Sequence, residues 1–448
     1  MLPNRLVYKA SARSKVRLLQ FILILIRENP MSKPKEYAFF VGIDWADSKH
    51  DVAIATPNGT AKVITIEHST EAIDAFVSDL LSKAKGLPIA IILEQSKGSL
   101  IHALVLRDNV DLYPINPKQF ASYRESFRTT KAKSDKNDAL LLSRLLFERH
   151  KQLRVWKPED ENTRLIARLC SRRRVWVEQR TTKGQRLLDL VKSYFPVLLK
   201  LADSKLYDCP LLLEILRKWP DPRRLKRANP EVLAKVLASH GIKNQAKLEK
   251  IIACLKKAPI HSKDESLLIV SAIEAKYLSK QLKADQELIA QLDQEIQAAL
   301  AKHPDAKLFT SLRGAGKALA PRLLTAFGTD RSRFKNAEEV ACFVGVAPVT
   351  KQSGKSCSVE RRRACNKYLL QTFHEFANAA AKWCPWSNAY YKMHREKGMK
   401  RHAILRKLAY RWIRILFRVW QTKTTFDPER YIRSLMAKSP EIKRYLPT

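Results

Sequence analysis

The chain is short of glycine, of paired cysteines, of long apolar runs and of acids. Only 12 of its 448 residues are glycine, which argues against a turn-rich all-β fold and for helices. The seven cysteines, at 170, 209, 254, 342, 357, 365 and 384, contain no C-x-x-C pair. That excludes the usual structural-zinc spacings and suggests free thiols in a reducing, cytoplasmic setting. In the N-terminal RLLQFILILIREN the uncharged run covers only Leu18–Ile26, too short to span a bilayer. It resembles the apolar part of a signal peptide, but no A-x-A-like site follows. No internal repeat or low-complexity tract stands out. Acids number 44 against 83 Lys and Arg, a formal charge of +39. Such an excess concerns partners rather than fold, and a polyanion, most often nucleic acid, neutralises it. A membrane surface would call for one basic amphipathic segment, whereas basic residues here occur throughout.

What is present is a globular composition, 45% hydrophobic and 28% charged, in a chain long enough for about three domains. Met31 begins MSKPKEYAFFVGIDWADSKHDVAI, which reads as a start running into a first strand. Residues 1–36 are therefore expected to be an extension outside the fold. From Tyr37 to about Ile115 the pattern is βββαβαβ: YAFFVGID, DVAIA and AKVITIE form a meander, and PIAIILE and VDLYPIN alternate with helices. Buried strands alternating with helices imply a sheet with parallel neighbours, covered by helices. A mostly helical region follows to about residue 305. In its second long helix Leu278, Leu282, Ile289, Leu292, Ile296 and Leu300 make a coiled-coil-like seam, suited to dimerisation or to an ordinary bundle. Residues 205–265 are rich in Leu and Lys and uninformative. Beyond 306, LRGAGKALAPRLL reads as a helix-hairpin-helix, FKNAEEVACFVGVAPVTKQSGKS breaks into a loop, and a basic helix lies near 400–420.

The stretch KAKSDKNDALLLSRLL, Lys131–Leu146, places Asp135 and Asp138 at the head of a leucine-rich helix among lysines. Positions three apart share a helix face. Asp44 ends the first strand in VGIDWADSKH, and Glu94 ends the fourth in AIILEQS. If those strands are neighbours their carboxylates converge, with Asp135 and Asp138 alongside. Hard oxygen ligands of this kind suit Mg²⁺ or Mn²⁺ in phosphoryl transfer. Lys131, Lys133 and Lys136 would then hold backbone phosphates. Taken singly, each acid has a simpler use: Asp135 can cap its helix after Ser134, and an Asp at a strand end can serve a turn. Asp47 and Asp51 lie close to Asp44; Asp51 opens the second strand and reads as orienting its turn.

GIDWADSKHDVAI, IILEQS and KSDKNDALLLSRLL together resemble the D-E-D-D signature of a bacterial insertion-sequence transposase family. LRGAGKALAPRLLTAFGTDRSRFKNAEEVACFVGVAPVTKQSGKS is similar to that family's second domain. The resemblance implies an α/β ribonuclease H-like (RuvC-like) metal-dependent domain over 37–155. A helical, coiled-coil region over 156–305 and a mostly helical C-terminal domain over 306–448 would follow. It further implies a recombinase acting in the bacterial cytoplasm at the nucleoid, on donor DNA ends and target DNA, guided by a structured RNA. Homodimers would pair into homotetramers, with no membrane involved. Carried over by motif, the nucleophile would be Ser353 in APVTKQSGKS, acting with Asp44, Glu94, Asp135 and Asp138. Ser356 is the rival. A Ser hydroxyl needs activation and cations around the scissile phosphate; Lys351 and Lys355 flank it and Gly354 lets backbone approach. The GKS is not a phosphate-binding P-loop, because position 349 is Val where that pattern needs Gly.

Other nucleic-acid contacts are open to two uses. Amides around Gly314 and Gly316 could hold a phosphate at the next helix. On the late helix Lys407, Arg411, Arg414 and Arg418 share one face, either solvated or bound to nucleic acid, while Ile404, Leu408, Trp412, Ile415 and Val419 share an apolar one. The RRR runs at 172–174 and 361–363 carry the same choice. Aromatic residues among the arginines could stack on bases or be packed. The alternative function is a junction-resolving nuclease of the same fold, hydrolysing DNA without a covalent intermediate. A non-catalytic nucleic-acid-binding protein is disfavoured because all four acids and the serine are present.

Overall fold

The computed structural model describes residues 36–94, 98–127, 134–201, 209–354 and 356–446. The expectations for residues 1–35, and for Lys131, Lys133 and Lys355, lie outside the described residues. The chain divides after Pro158 into two compact units.

In the first unit the elements are β1 (Phe39–Asp44), β2 (Lys49–Ala55), β3 (Ala61–Glu67), α1 (Thr70–Lys83), β4 (Ile89–Leu93), α2 (Ser99–Leu104), β5 (Val110–Pro114), α3 (Pro117–Glu125) and α4 (Asp135–Arg149). The sheet order is β3-β2-β1-β4-β5. The β1–β2 and β2–β3 pairs are antiparallel, and β1–β4 and β4–β5 parallel. This is the mixed α/β sheet that the strand pattern predicts. α3 is an addition to that pattern; its start signal is Asn116, whose side chain accepts from the Lys118 amide, followed by Pro117.

Strand alternation divides the sheet between two cores. Val41, Ile43, Ile91 and Leu93 face Ile73 and Val77 of α1 and Leu100 of α2. Phe40, Ala90 and Ile92 face Phe120 of α3 and Leu142, Leu145 and Leu146 of α4. α4 lies directly on β1. A Cβ at Gly42 would stand 2.3 Å from both Ala139 O and Ser143 N, so only glycine permits this approach. Two residues back along β1, the Ser143 hydroxyl donates to Phe40 O at 2.8 Å. The helix therefore runs antiparallel to the strand, with its N-terminus at the tip that carries Asp44.

The second unit begins with α5 (Glu161–Tyr194), then the short helices α6 (Pro210–Lys218), α7 (Pro222–Arg227), α8 (Pro230–Ser239) and α9 (Gln245–Lys257), and α10 (Glu265–Ala301). α5 and α10 are antiparallel neighbours, since Arg173 pairs with Asp293, Lys183 with Asp285 and Arg186 with Glu274. The predicted seam is met within the chain: Leu278 and Leu282 join Leu187 and Val191 in one core, and Ile296 and Leu300 join Ile166 in another. That second core continues through α11 (Ala306–Thr310), α12 (Gly316–Phe327), α13 (Ala337–Phe343), α14 (Lys367–Trp383), α15 (Pro385–Glu396), α16 (Arg401–Thr422) and α17 (Pro428–Lys438). Trp386, Trp412 and Trp420 are fully buried there, so these rings are packed rather than offered to bases.

One expectation for this unit changes. The segment around Ser353 is not a loop but an antiparallel hairpin, β6 (Val349–Ser353) with β7 (Ser356–Glu360). α11 is only five residues, and Gly314 has a packing role: a Cβ there would stand 2.9 Å from Ala380 N of α14. Among the described residues no helix is long and apolar enough to cross a membrane.

Candidate active site

Asp44 lies two residues beyond Gly42 and so continues the face of β1 that α4 covers. Ile43 pairs with Leu93 in the parallel register, which brings Glu94 beside Asp44. Two residues past Ile92, Glu94 extends the same face of β4. Both acids are half-buried. Asp135 and Asp138 occupy the first turn of α4, behind Ser134, whose side chain makes no capping bond. The packing of α4 on Gly42 sets that turn at the same edge of the sheet. Asp135 is exposed, whereas Asp138 is only 2% exposed and accepts from Arg124 Nη1 of α3 at 2.7 Å. Lys136 is exposed.

All four donors are carboxylate oxygens, the chemistry that Mg²⁺ or Mn²⁺ prefers. Among the described residues no three acids, histidines or cysteines form a ready-made metal cluster. Asp138 is paired with Arg124. The donor types and the shared edge fit a divalent ion.

Three neighbours surround the acids, and of these the sequence marks only Asp51. Asp51 lies within β2, directly opposite Asp44, and accepts from Thr65 Oγ1 at 2.7 Å. His50 is fully buried; the Ala46 amide donates to its Nδ1 at 3.3 Å and its Nε2 meets His68 Nδ1 at 2.9 Å. This holds the turn that follows Asp44. Burial, with His68 beside it, keeps the His50 pKa below the usual imidazole value. Arg124 is the third, and nothing in YRESFR marks it.

At the tip of the hairpin Ser353 pairs with Ser356, and Gly354 turns the chain with φ +53°. The register puts both serines on one face with Lys351 and Ser358, and all four are exposed. Lys351 Nζ lies 3.0 Å from a Glu360 carboxylate oxygen, an exposed pair that solvent and salt weaken.

Residues 41–196 match a transposase family model, that of the D-E-D-D transposases of the IS110 type, and residues 306–392 match the Transposase IS116/IS110/IS902 family model. The chain belongs to the IS110/IS116 family of transposases. Over 410 residues this transposase is 28% identical to the IS117 mini-circle protein of Streptomyces coelicolor, covering 89% of the chain and 97% of that relative. The IS110 protein of the same organism is 24% identical over 419 residues, again 89% and 97% of the two chains. The IS116 protein of Streptomyces clavuligerus is 25% identical over 301 residues, 66% of this chain and 73% of the relative. Membership makes the chain an enzyme of DNA phosphoryl transfer, and the D-E-D-D domain implies use of a divalent metal.

Elsewhere in the transposase, Arg411 is half-buried over the Tyr390 ring, 4.7 Å from its centre. Arg414 and Arg418 are exposed, and Ile404, Leu408, Trp412 and Val419 are buried. Gly316 opens α12 with free space where a Cβ would stand.

Proposed function

We propose that this transposase cuts and rejoins DNA with Asp44, Glu94, Asp135 and Asp138 as metal ligands and Ser353 as nucleophile, guided by a structured RNA. The observation that carries the carboxylate assignment is the shared face: β1, β4 and the first turn of α4 all present acids at one sheet edge, around a helix seated on Gly42. A divalent cation held by these acids would neutralise charge on the scissile phosphate. The Ser353 hydroxyl attacks phosphorus and the deoxyribose oxygen leaves, so the phosphodiester bond becomes a phosphoserine ester. Its energy is kept for the attack of a second DNA hydroxyl, which rejoins the strand and frees the serine. Lys351 and Lys355 steady the phosphate, Gly354 lets the hairpin tip approach it, and Lys131, Lys133 and Lys136 hold flanking phosphates. Gly314 and Gly316, in a helix-hairpin-helix role, and Arg411, Arg414 and Arg418 extend the nucleic-acid footprint. Donor and target DNA are brought together by homodimers that pair into homotetramers.

The test is strand exchange with the element's DNA ends, target DNA and its candidate non-coding RNA, with and without Mg²⁺. Asp44→Ala and Asp138→Ala are expected to abolish exchange and leave RNA binding intact. Exchange at the wild-type rate in either variant sinks the metal-site assignment.

A further inference from the structure

The arginine run at 361–363 divides on folding. Arg362 is half-buried, donating Nε to Ala347 O at 3.4 Å and Nη2 to Cys342 Sγ at 3.6 Å. Arg361 is exposed and is in no ion pair among the described residues. It is the first residue after β7, at the base of the hairpin whose tip carries Ser353 and Ser356. Two histidines stand beside it. His374 of α14 puts Nε2 3.2 Å from Nδ1 of His402, in the first turn of α16, with the ring planes 16° apart. His374 is half-buried and His402 exposed. Arg406 is exposed too, and likewise in no ion pair among the described residues. Arg401 completes the group, its Nη2 donating to Asn378 Oδ1 at 2.9 Å.

The charges at this spot do not balance. Around His374 the segment after β7 supplies Arg361, α16 supplies His402 and Arg406, and α14 supplies Glu375. Glu375 is already engaged, because Arg322 Nη1 of α12 lies 2.6 Å from its carboxylate. Burial, then His402, Arg406 and Arg361, hold the His374 pKa below the ordinary imidazole value, against the weaker pull of Glu375. In the neutral pair one bridging nitrogen carries a proton and the other accepts it. One outer ring nitrogen is then an N–H and the other is bare. A further proton makes both outer nitrogens donors and gives the pair a positive charge. Among three arginines, with the nearby acid engaged elsewhere, that charge is stabilised only by an anion brought from outside.

We propose that His374 and His402, with Arg361 and Arg406, form a proton-linked site for one backbone phosphate of a nucleic acid. The phosphate is met by the two guanidinium groups and by an outer imidazole N–H. Its charge in turn stabilises the extra proton on the histidine pair. Binding therefore takes up a proton. Affinity rises as pH falls through the range in which the bound pair is protonated and the free pair is not, and levels off once both are. The position favours DNA as the source. From Ser356 to Arg361 is five steps of extended chain, about 16 Å, or roughly five base pairs along a duplex that meets the hairpin tip. The inference rests on the reading that the hairpin meets DNA.

The test is fluorescence anisotropy of the full chain at about pH 8 and about pH 6, with a labelled duplex of the element's end and, separately, a labelled RNA hairpin. Wild type is expected to bind the duplex about tenfold tighter at the lower pH, the worth of one hydrogen bond to a charged group. In His374→Gln and in His402→Gln that ratio is expected to fall towards one. Calorimetric titration in buffers of different ionisation enthalpy should show proton uptake on binding by wild type that both variants lack. Arg361→Gln should lessen the log–log salt slope by about 0.9, the share of one phosphate contact. A pH ratio that both variants lose on the RNA hairpin alone names RNA as the source of the phosphate. Variants that keep the wild-type ratio on both probes, or wild-type binding without proton uptake, overturn the proposal. Should His374→Gln fail to fold, His402→Gln on the exposed side of the pair decides alone. A wild-type chain that binds neither probe sinks the nucleic-acid reading itself, and the proposal with it.

Discussion

Glycine at position 42 fixes the acids more firmly than any polar contact around them. The atoms a Cβ would strike are the backbone oxygen of Ala139 and nitrogen of Ser143, and no rotamer change relieves that. Gly42→Ala should therefore destabilise the first unit by ~1–3 kcal/mol or more, the cost of overpacking a close-packed site, read as a lower urea midpoint. An unchanged midpoint would show that α4 is not seated as described. At the same scale, Glu94→Gln keeps shape and burial but removes the ligand's charge. It should lower strand exchange by more than about a hundredfold, beyond the cost of losing a merely supporting contact, with the midpoint little changed. Asp44 and Glu94 were legible in sequence because acids at the tips of buried strands are conspicuous. Arg124 was not, because its pairing with Asp138 depends on α3, a helix hidden in INPKQF.

Elements were legible where periodicity ran long. The two helices of 34 and 37 residues declare themselves, although the seam on α10 gave no hint that α5 would fill it. Short elements were lost. In α7 and α8 a capping Asp221 or Asn229 precedes Pro222 or Pro230, start signals that a Leu- and Lys-rich composition obscured. The hairpin was lost too: VTKQS and SCSVE pair across Gly354-Lys355 with every residue but one exposed, so no apolar alternation marked it. The start of α5 carries a pH dependence. His303 is buried; its Nδ1 accepts from the Asp305 amide and its Nε2 meets Thr163 Oγ1 at 2.9 Å. Burial holds its pKa below the ordinary imidazole value, against the pull of Asp160 and Asp305. The unfolded chain then takes up the proton first as pH falls, so stability is full above about pH 6.5 and declines below it. His50, His374 and His394 are shifted in the same direction. A melting temperature that falls on acidification, and falls less in His303→Gln, is the expected result; an identical pH profile in the variant would refute this role.

For the whole molecule the governing quantity is charge. The excess of +39 has few internal uses, because the ion pairs of the fold consume acids and bases together. Nucleic-acid binding should weaken steeply with salt, with a log–log slope of roughly −5 or steeper, as about six phosphate contacts produce. A flat response would break the link between charge and partner. The family membership joins a carboxylate-bearing sheet unit and a helical unit with the exposed Ser353 and Ser356 in one chain, and the central claim is that both serve one reaction. The most direct test is a Mg²⁺-dependent reaction on the element's DNA ends with the candidate RNA, run on denaturing gels with wild type, Ser353→Ala and Ser356→Ala. The account predicts a covalent protein–DNA band in wild type and Ser356→Ala that is missing from Ser353→Ala. Cleavage that persists in Ser353→Ala, with no covalent band in any lane, would contradict it and leave a water-using nuclease driven by the carboxylates alone.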